Sequence, residues 1–256
     1  MSRRRFASVE AFSDTAAAYA ATMAPALAPV AAEVVRRADL RPGETVLDIG
    51  TGTGTAARLA LGDGRRVIGL DAARGMLEIA AVEAPGAELI EADFTRIPLE
   101  DGSADVVVAA HALLFASDRV AALREWLRVT APGGRLSLSV PGPGDVVPSA
   151  VFGEVYTRYG IEWSADDYPD TTILAQWAAA AGWSDVAMHA DPTAGIPLAD
   201  EGAFRTWLRV GRSTTDWPAD RVEAFGSDLM AVSPRGANGS FLVPFGAQYL
   251  TARRPR

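Results

Sequence analysis

The sequence predicts a doubly wound α/β domain, and three observations predict it. Short apolar runs alternate with helical stretches through the first 140 residues. The first of these runs leads into a loop with three alternating glycines, "DIGTGTG", residues 48–54. Three of the runs end in a carboxylate, at Asp48, Asp71 and Asp93. In open sheets of this kind ligands bind beyond the carboxyl ends of the strands, so those ends carry the candidate site residues.

Taken in order, the N-terminal "MSRRRFASVEAF" has a basic start without an apolar core, so it reads as a solvated terminus and not a secretory signal. N-terminal helices are expected over about residues 10–38, around "SDTAAAYAATMAPALAPVAAEVV". Strands are expected at "ETVLDIG" (44–50), "RRVIGLD" (65–71), "AELIEAD" (87–93), "ADVVVAAH" (104–111) and "GRLSLSV" (134–140). Their near-continuous Val, Ile and Leu content suits strands buried on both faces, as in a parallel sheet. The helix "SDRVAALREWLRVTA" opens on a Ser117-Asp118 cap signal and puts Val120, Leu123 and Leu127 on one face. It stops at Pro132-Gly133-Gly134. Further on, "SDVAMHADP" alternates as a strand should and carries His189, read as structural or surface.

Two segments outside this core are aromatic. Residues 149–170 carry Phe152, Tyr156, Tyr159, Trp163 and Tyr168, and residues 199–225 carry Phe204, Trp207, Trp217 and Phe225. Most of these rings are expected to close the core of two covering helical layers, which would also form an apolar lid over a substrate. The whole chain, 1–256, reads as one domain: a core at about 40–140, the N-terminal helices, and covering segments at about 141–182 and 191–240.

Composition narrows the function. The 256 residues are 49% apolar and 22% charged, ordinary for a globular protein, and no stretch reaches the ~18 consecutive apolar residues of a membrane span. With no cysteine, disulfides, thiolate nucleophiles and sulfur-ligated metals are excluded. Every basic residue is Arg; 24 of them against 32 carboxylates give a net charge of −8 without a basic stripe, which argues against a nucleic-acid partner. A cytoplasmic enzyme acting on a small molecule fits better.

Strand ends lined by Asp48, Asp71 and Asp93 would repel a pyrophosphate but suit a cationic ligand bearing a ribose and an adenine. The glycine spacing agrees, because a dinucleotide fingerprint wants glycine at position 55, where Thr55 stands. On these residues the chain resembles the class I S-adenosylmethionine-dependent methyltransferases, in the small-molecule group that includes enzymes of ubiquinone and menaquinone biosynthesis. The resemblance rests on "VLDIGTGTG", "GLDAARGMLEIA", "EADFTRIPLEDGSADVVVA" and "LREWLRVTAPGGRLSLSV", in that order from about residue 40 to 140. Where family members often have Ser or Pro after the second aspartate, Ala72 and Ala73 stand here. It implies a Rossmann-like, mostly parallel seven-stranded sheet whose last strand, at "FLVPFGAQYLTARR", is antiparallel, with helical lid insertions.

The resemblance also implies roles. The backbone of Gly50, Thr51, Gly52 and Gly54 would lie against the methionine part of S-adenosyl-L-methionine, and Asp48 would hold this loop and favour the cationic groups. Asp71 would accept both ribose hydroxyls. Asp93 would accept from the adenine amino group, with the Phe94 backbone N–H on a ring nitrogen. Ala72 and Met76 would pack on the adenine face, Met76 also reading as a core side chain. Tyr19 would close the cofactor from above. His111, just past the fourth strand, lines the cofactor pocket and is the candidate general base, with an ordinary imidazole pKa near ~6.5. No nucleobase-methylation motif, carboxylate metal ligand or cysteine nucleophile stands at the fourth strand end, so a metal-independent small-molecule enzyme is expected. The alternatives are an NAD(P)-dependent oxidoreductase, opposed by Asp48 and Thr55, and a non-catalytic S-adenosylmethionine-binding protein.

Overall fold

The computed structural model describes residues 8–142, 148–161, 169–209, 217–236, 238–244 and 246–256. The chain runs α1 (Val9–Asp14), α2 (Ala16–Arg37), β1 (Thr45–Ile49), α3 (Thr55–Ala60), β2 (Arg66–Asp71), α4 (Arg74–Glu83), β3 (Glu88–Glu91) and β4 (Ala104–Ala110). A 3-10 turn (Leu113–Phe115) then leads to α5 (Arg119–Val129) and β5 (Thr130–Val140). The remainder is α6 (Pro148–Arg158), α7 (Thr171–Ala181), β6 (Ser184–Asp191), β7 (Gly195–Leu198), α8 (Glu201–Arg209), α9 (Ala219–Val232), β8 (Phe241–Pro244) and β9 (Ala247–Arg253).

Seven strands form one sheet in the order β3-β2-β1-β4-β5-β9-β6. The first five pair in parallel, and β9 runs antiparallel to both β5 and β6. The strand order reverses between β1 and β4, so the loops after these two strands diverge to opposite faces and leave a crevice. Two cores sandwich the sheet. On one face Leu47, Ile49, Ile68 and Leu70 pack with Leu123, Trp126 and Trp183; on the other Val30 and Val34 of α2 pack on Val46, Val106 and Val108.

Three local expectations are corrected. The C-terminal stretch is not one strand: the chain turns at Gly246 (φ 55°), leaving β9 in the sheet while β8 pairs with β7 in a separate two-stranded ribbon. β3 is shorter than expected and half-exposed, because it is the edge strand and only one side of it is paired. The buried stripe of α5 is Ala122, Leu123, Trp126 and Val129, with Val120 and Leu127 only partly covered, since the indole of Trp126 fills the space beneath the sheet. Its cap is as expected: Asp118 accepts from Ala121 N at 2.9 Å.

A further core sits above the strand ends. It joins Met23 of α2 to Phe152, Tyr156, Phe204, Trp207, Phe225 and Phe241 of α6, α8, α9 and β8. The aromatic segments therefore do pack on one another, as in the stacked pair Tyr159–Trp217 at 6.0 Å. Trp163 and Tyr168, like the basic N-terminal residues, lie outside the described residues. α7 behaves differently and covers α5 and β6. Among the described helices α2 is long and apolar enough to cross a membrane; here it packs on α3, β4 and β5. His189 is exposed on β6, its ring 6.2 Å from that of Tyr249.

Candidate active site

The loop after β1 is built by two aspartates. Thr51 Oγ1 donates to Asp48 Oδ2 at 2.6 Å, and Asp48 is 1% exposed, with Oδ1 buried and without a partner among the described residues. Burial pushes the Asp48 carboxyl up to about 6, although the Thr51 hydroxyl pulls the other way. Asp71, at the end of the neighbouring strand, accepts Gly52 N at 2.8 Å on Oδ2 and Ala73 N at 2.9 Å on Oδ1. It thus staples the glycine loop to β2, and with a further backbone contact from Ala72 its carboxylate still has acceptor capacity to spare. Burial raises its pKa as well.

The glycines divide the work. A Cβ on Gly50 (φ 66°) would come within 2.6 Å of Ala112 Cβ, so that glycine serves protein packing. A Cβ on Gly52 (φ 54°) would meet nothing within 4 Å. Open space lies over Gly52, where a ligand can approach the backbone. Gly54 opens α3, close against Ala80 of α4.

A cavity of about 50 Å³ above this loop is lined by Tyr19, Asp48, Gly50, Thr51, Gly52 and His111, among others. The structure therefore brings these six expected residues together. Tyr19 reaches it from α2; burial and the charge of Asp71 hold its phenol up at about 12, so it stays neutral. His111 takes a left-handed backbone (φ 59°) at the end of β4, a conformation that a non-glycine residue adopts only when its surroundings impose it. Its Nδ1 lies 3.1 Å from Ser139 Oγ of β5. Burial lowers the imidazole to about 4, which corrects the ordinary value expected from sequence: the ring is neutral at pH 7.

Other expected residues stand beside or outside the cavity. Asp71 is tied to the lining through its bond to Gly52, and neither it nor Ala72 lines the cavity itself. Met76 is 3% exposed and packs with Ala16 and Ala73, Phe12 and Tyr19 flanking them. Asp93 is exposed, its Oδ1 accepting Thr95 N and Oγ1, each at 2.7 Å. Phe94 turns inward, edge-on to Trp126 at 6.0 Å, and its carbonyl accepts Trp126 Nε1. Among the described residues no three His, Asp or Glu side chains gather as metal ligands.

Three residues that sequence reasoning missed complete the site: Ala112 against Gly50, Ser139 on His111, and Phe12. Phe12 packs edge-on to Phe115 (5.4 Å) and Tyr19 (6.4 Å), laying α1 over the strand ends. Gly75 of α4 admits this approach, because a Cβ there would collide with the Ser13 carbonyl. A serine in the buried run "LSLSV" was the one available signal for Ser139.

Comparison with known proteins bears on this geometry. A family model described as a methyltransferase domain matches residues 47–138. The chain is 34% identical over 165 residues to a demethylmenaquinone methyltransferase of Renibacterium salmoninarum, an alignment covering 57% of this chain and 68% of the relative. It belongs to the class I S-adenosylmethionine-dependent methyltransferases. A second such relative, from Beutenbergia cavernae, is 35% identical over 166 residues, 57% of this methyltransferase and 68% of that protein. The fold of the methyltransferase is similar to that of phosphoethanolamine N-methyltransferase 2 from Haemonchus contortus, solved with phosphomonomethylethanolamine and S-adenosylhomocysteine. There the TM-score is 0.65 at 17% identity, over 98% of this chain and 61% of that one. The segment matched by the family model holds Asp48, the glycine loop, Asp71, Asp93 and His111, whereas Phe12, Tyr19 and the upper aromatic core lie outside it.

Proposed function

We propose that this enzyme binds S-adenosylmethionine over Gly52 and transfers its methyl group to a small apolar, aromatic acceptor without a metal. The observation that carries the reading is the pairing of open space over Gly52 with a buried, half-satisfied carboxylate, Asp48, beside it. When bound, the cofactor supplies an activated methyl group on a sulfonium sulfur. Asp48, ionised above about 6, offers its free Oδ1 to the cationic part. The remaining acceptor sites of Asp71 take the ribose hydroxyls, and the adenine extends towards Ala72, Met76, Asp93 and Phe94 at the adjoining strand ends. The cavity, at about 50 Å³, is too small for a nucleoside, so the nucleoside is admitted by an outward shift of α1 and the first turn of α2, which carries Tyr19.

The acceptor enters from the opposite side, under the aromatic core that α6, α8 and α9 build. The aromatic core there supports an apolar acceptor, and so do the demethylmenaquinone methyltransferase relatives. Methyl transfer from a sulfonium disperses charge, so the protein's main tasks are in-line positioning at ~3 Å and exclusion of water. A cytoplasmic setting belongs to the same proposal, supported by the packing of α2 on the sheet.

A thermal-shift experiment tests the donor. At a hundredfold excess over Kd, S-adenosylmethionine or S-adenosylhomocysteine stabilises by ~2.7 kcal/mol, a Tm rise of roughly 5–10 °C, whereas NAD leaves Tm unchanged. No rise with either sulfur ligand at millimolar concentration, or a rise with NAD, overturns the assignment. A panel of acceptors with radiolabelled donor then identifies the substrate.

A further inference from the structure

The segment after β3 has no strand ladder to hold it, and α5 holds it instead. Trp126 Nε1 donates to the Phe94 carbonyl at 3.1 Å. Glu125 Oε1 accepts Ile97 N at 2.8 Å, and Arg128 donates to the Ile97 carbonyl at 3.0 Å and the Leu99 carbonyl at 2.9 Å. Arg128 is itself braced by Glu125 and Asp101, each at 2.7 Å. Among the described residues, every hydrogen bond from residues 94–99 to another element ends on α5. The segment is also locked from inside. Thr95 N and Oγ1 both donate to Asp93 Oδ1, which leaves Oδ2 without a partner among the described residues. The Asp93 carbonyl accepts Arg96 N at 2.9 Å. A trans peptide points its N–H opposite to its C=O, so the Phe94 N–H points away from this turn, and it has no partner among the described residues. One open acceptor thus stands next to one open donor. That pair complements a 6-amino purine, whose amino group donates and whose N1 accepts. A 6-oxo purine carries the reverse pair and would meet acceptor with acceptor and donor with donor.

We propose that Trp126 and Arg128 of α5 are positioning residues for the adenine of the methyl donor: by fixing the Asp93–Phe94 turn, they make the site select a 6-amino over a 6-oxo purine. This rests on the reading that Asp93 and Phe94 face the adenine. The cofactor site then has two separate supports. Asp71 staples the glycine loop to β2, whereas the adenine turn hangs on α5. Loosening α5 therefore costs purine selection, while the hold on the rest of the nucleoside stays.

Calorimetry with S-adenosylhomocysteine and its 6-oxo counterpart, S-inosylhomocysteine, tests this without turnover. Wild type should prefer the adenosyl ligand by about tenfold or more, the worth of two hydrogen bonds made in place of two mismatches. Trp126→Phe removes the donor to the Phe94 carbonyl, and Arg128→Gln the fork on the Ile97 and Leu99 carbonyls. Each should cut the preference at least about fivefold, chiefly through weaker binding of the adenosyl ligand. Arg128 is partly exposed, so its variant keeps the core intact even where Trp126→Phe does not fold. Val106→Ala, in the core on the other face of the sheet, should lower Tm and leave the preference as in wild type. A wild type that binds both ligands alike overturns the proposal, and so does an Arg128→Gln variant with the wild-type preference. An equal loss of preference in Val106→Ala overturns it too, because any destabilisation would then suffice. A wild type that binds neither ligand overturns the methyl-donor reading and this proposal with it, an outcome that the thermal-shift experiment separates from the others.

Discussion

At the scale of single residues, the site places two titrating groups against each other. Asp48 has a folded pKa near 6, above its unfolded value, so its contribution to stability is present below about pH 4 and is lost as pH rises through 6. His111 has a folded pKa near 4, below its unfolded value, so its contribution is present above about pH 6.5 and is lost as pH falls through 4. Each shift corresponds to roughly 3 kcal/mol, and between about pH 4 and 6 the two oppose each other. Asp48→Asn should therefore steepen the loss of stability on acidification, and His111→Gln should flatten or reverse it. Urea midpoints at pH 4.5 and 7 measure both; identical pH slopes in wild type and the two variants would show that neither group is shifted. Asp71→Ala has a double consequence. It removes the proposed ribose ligand, weakening cofactor binding roughly ten- to a hundredfold by calorimetry. It also strands the N–H groups of Gly52 and Ala73, at a cost to the fold of about 1–3 kcal/mol. Undiminished affinity would place the ribose elsewhere.

At the scale of elements, the glycine loop separates packing from binding. Gly50→Ala meets both a left-handed backbone and the Ala112 methyl, so it should destabilise by more than the ~1–2 kcal/mol of the backbone term alone. Gly52→Ala meets only the backbone term, yet its methyl enters the space proposed for the cofactor. Melting curves and titration calorimetry on the pair should show the larger Tm loss in Gly50→Ala, and in Gly52→Ala a loss of S-adenosylmethionine binding out of proportion to its Tm change. Equal behaviour in both assays would count against a ligand over Gly52. The loop itself was legible in sequence, since its three glycines follow an apolar strand. Their division of labour was not, because Ala112 and Ala80 approach from the far ends of other elements.

At the scale of the whole molecule, α1 is a thinly held cover. It has no buried residue and is tied down chiefly by Phe12 against Tyr19 and Phe115 and by Ser13 against Gly75. Amides of α1 should exchange with solvent orders of magnitude faster than those of β1, β2 and β4, and added S-adenosylhomocysteine should slow them. Mass-detected hydrogen exchange checks this. Equal protection of α1 and the sheet in the ligand-free protein would rule out α1 as the part that moves to admit the nucleoside.

The sequence by itself determined the alternation of strands and helices, the parallel sheet with its antiparallel strand, the position of the glycine loop, and the family. These are written locally, in runs of Val, Ile and Leu, in caps such as Asp118 and in motif order, so they need no knowledge of what lies across the fold. Only the tertiary structure decided which of the aspartates lines the cavity, that the C-terminal stretch divides between two sheets, that Phe12 covers the strand ends, and that burial holds the His111 imidazole well below its ordinary pKa. The physical reason is that burial and through-space partners come from distant residues: Asp71 meets Gly52 from 19 positions away, and Ser139 meets His111 from 28. A side chain's type is legible in the sequence, but its protonation state depends on the neighbours that folding brings to it.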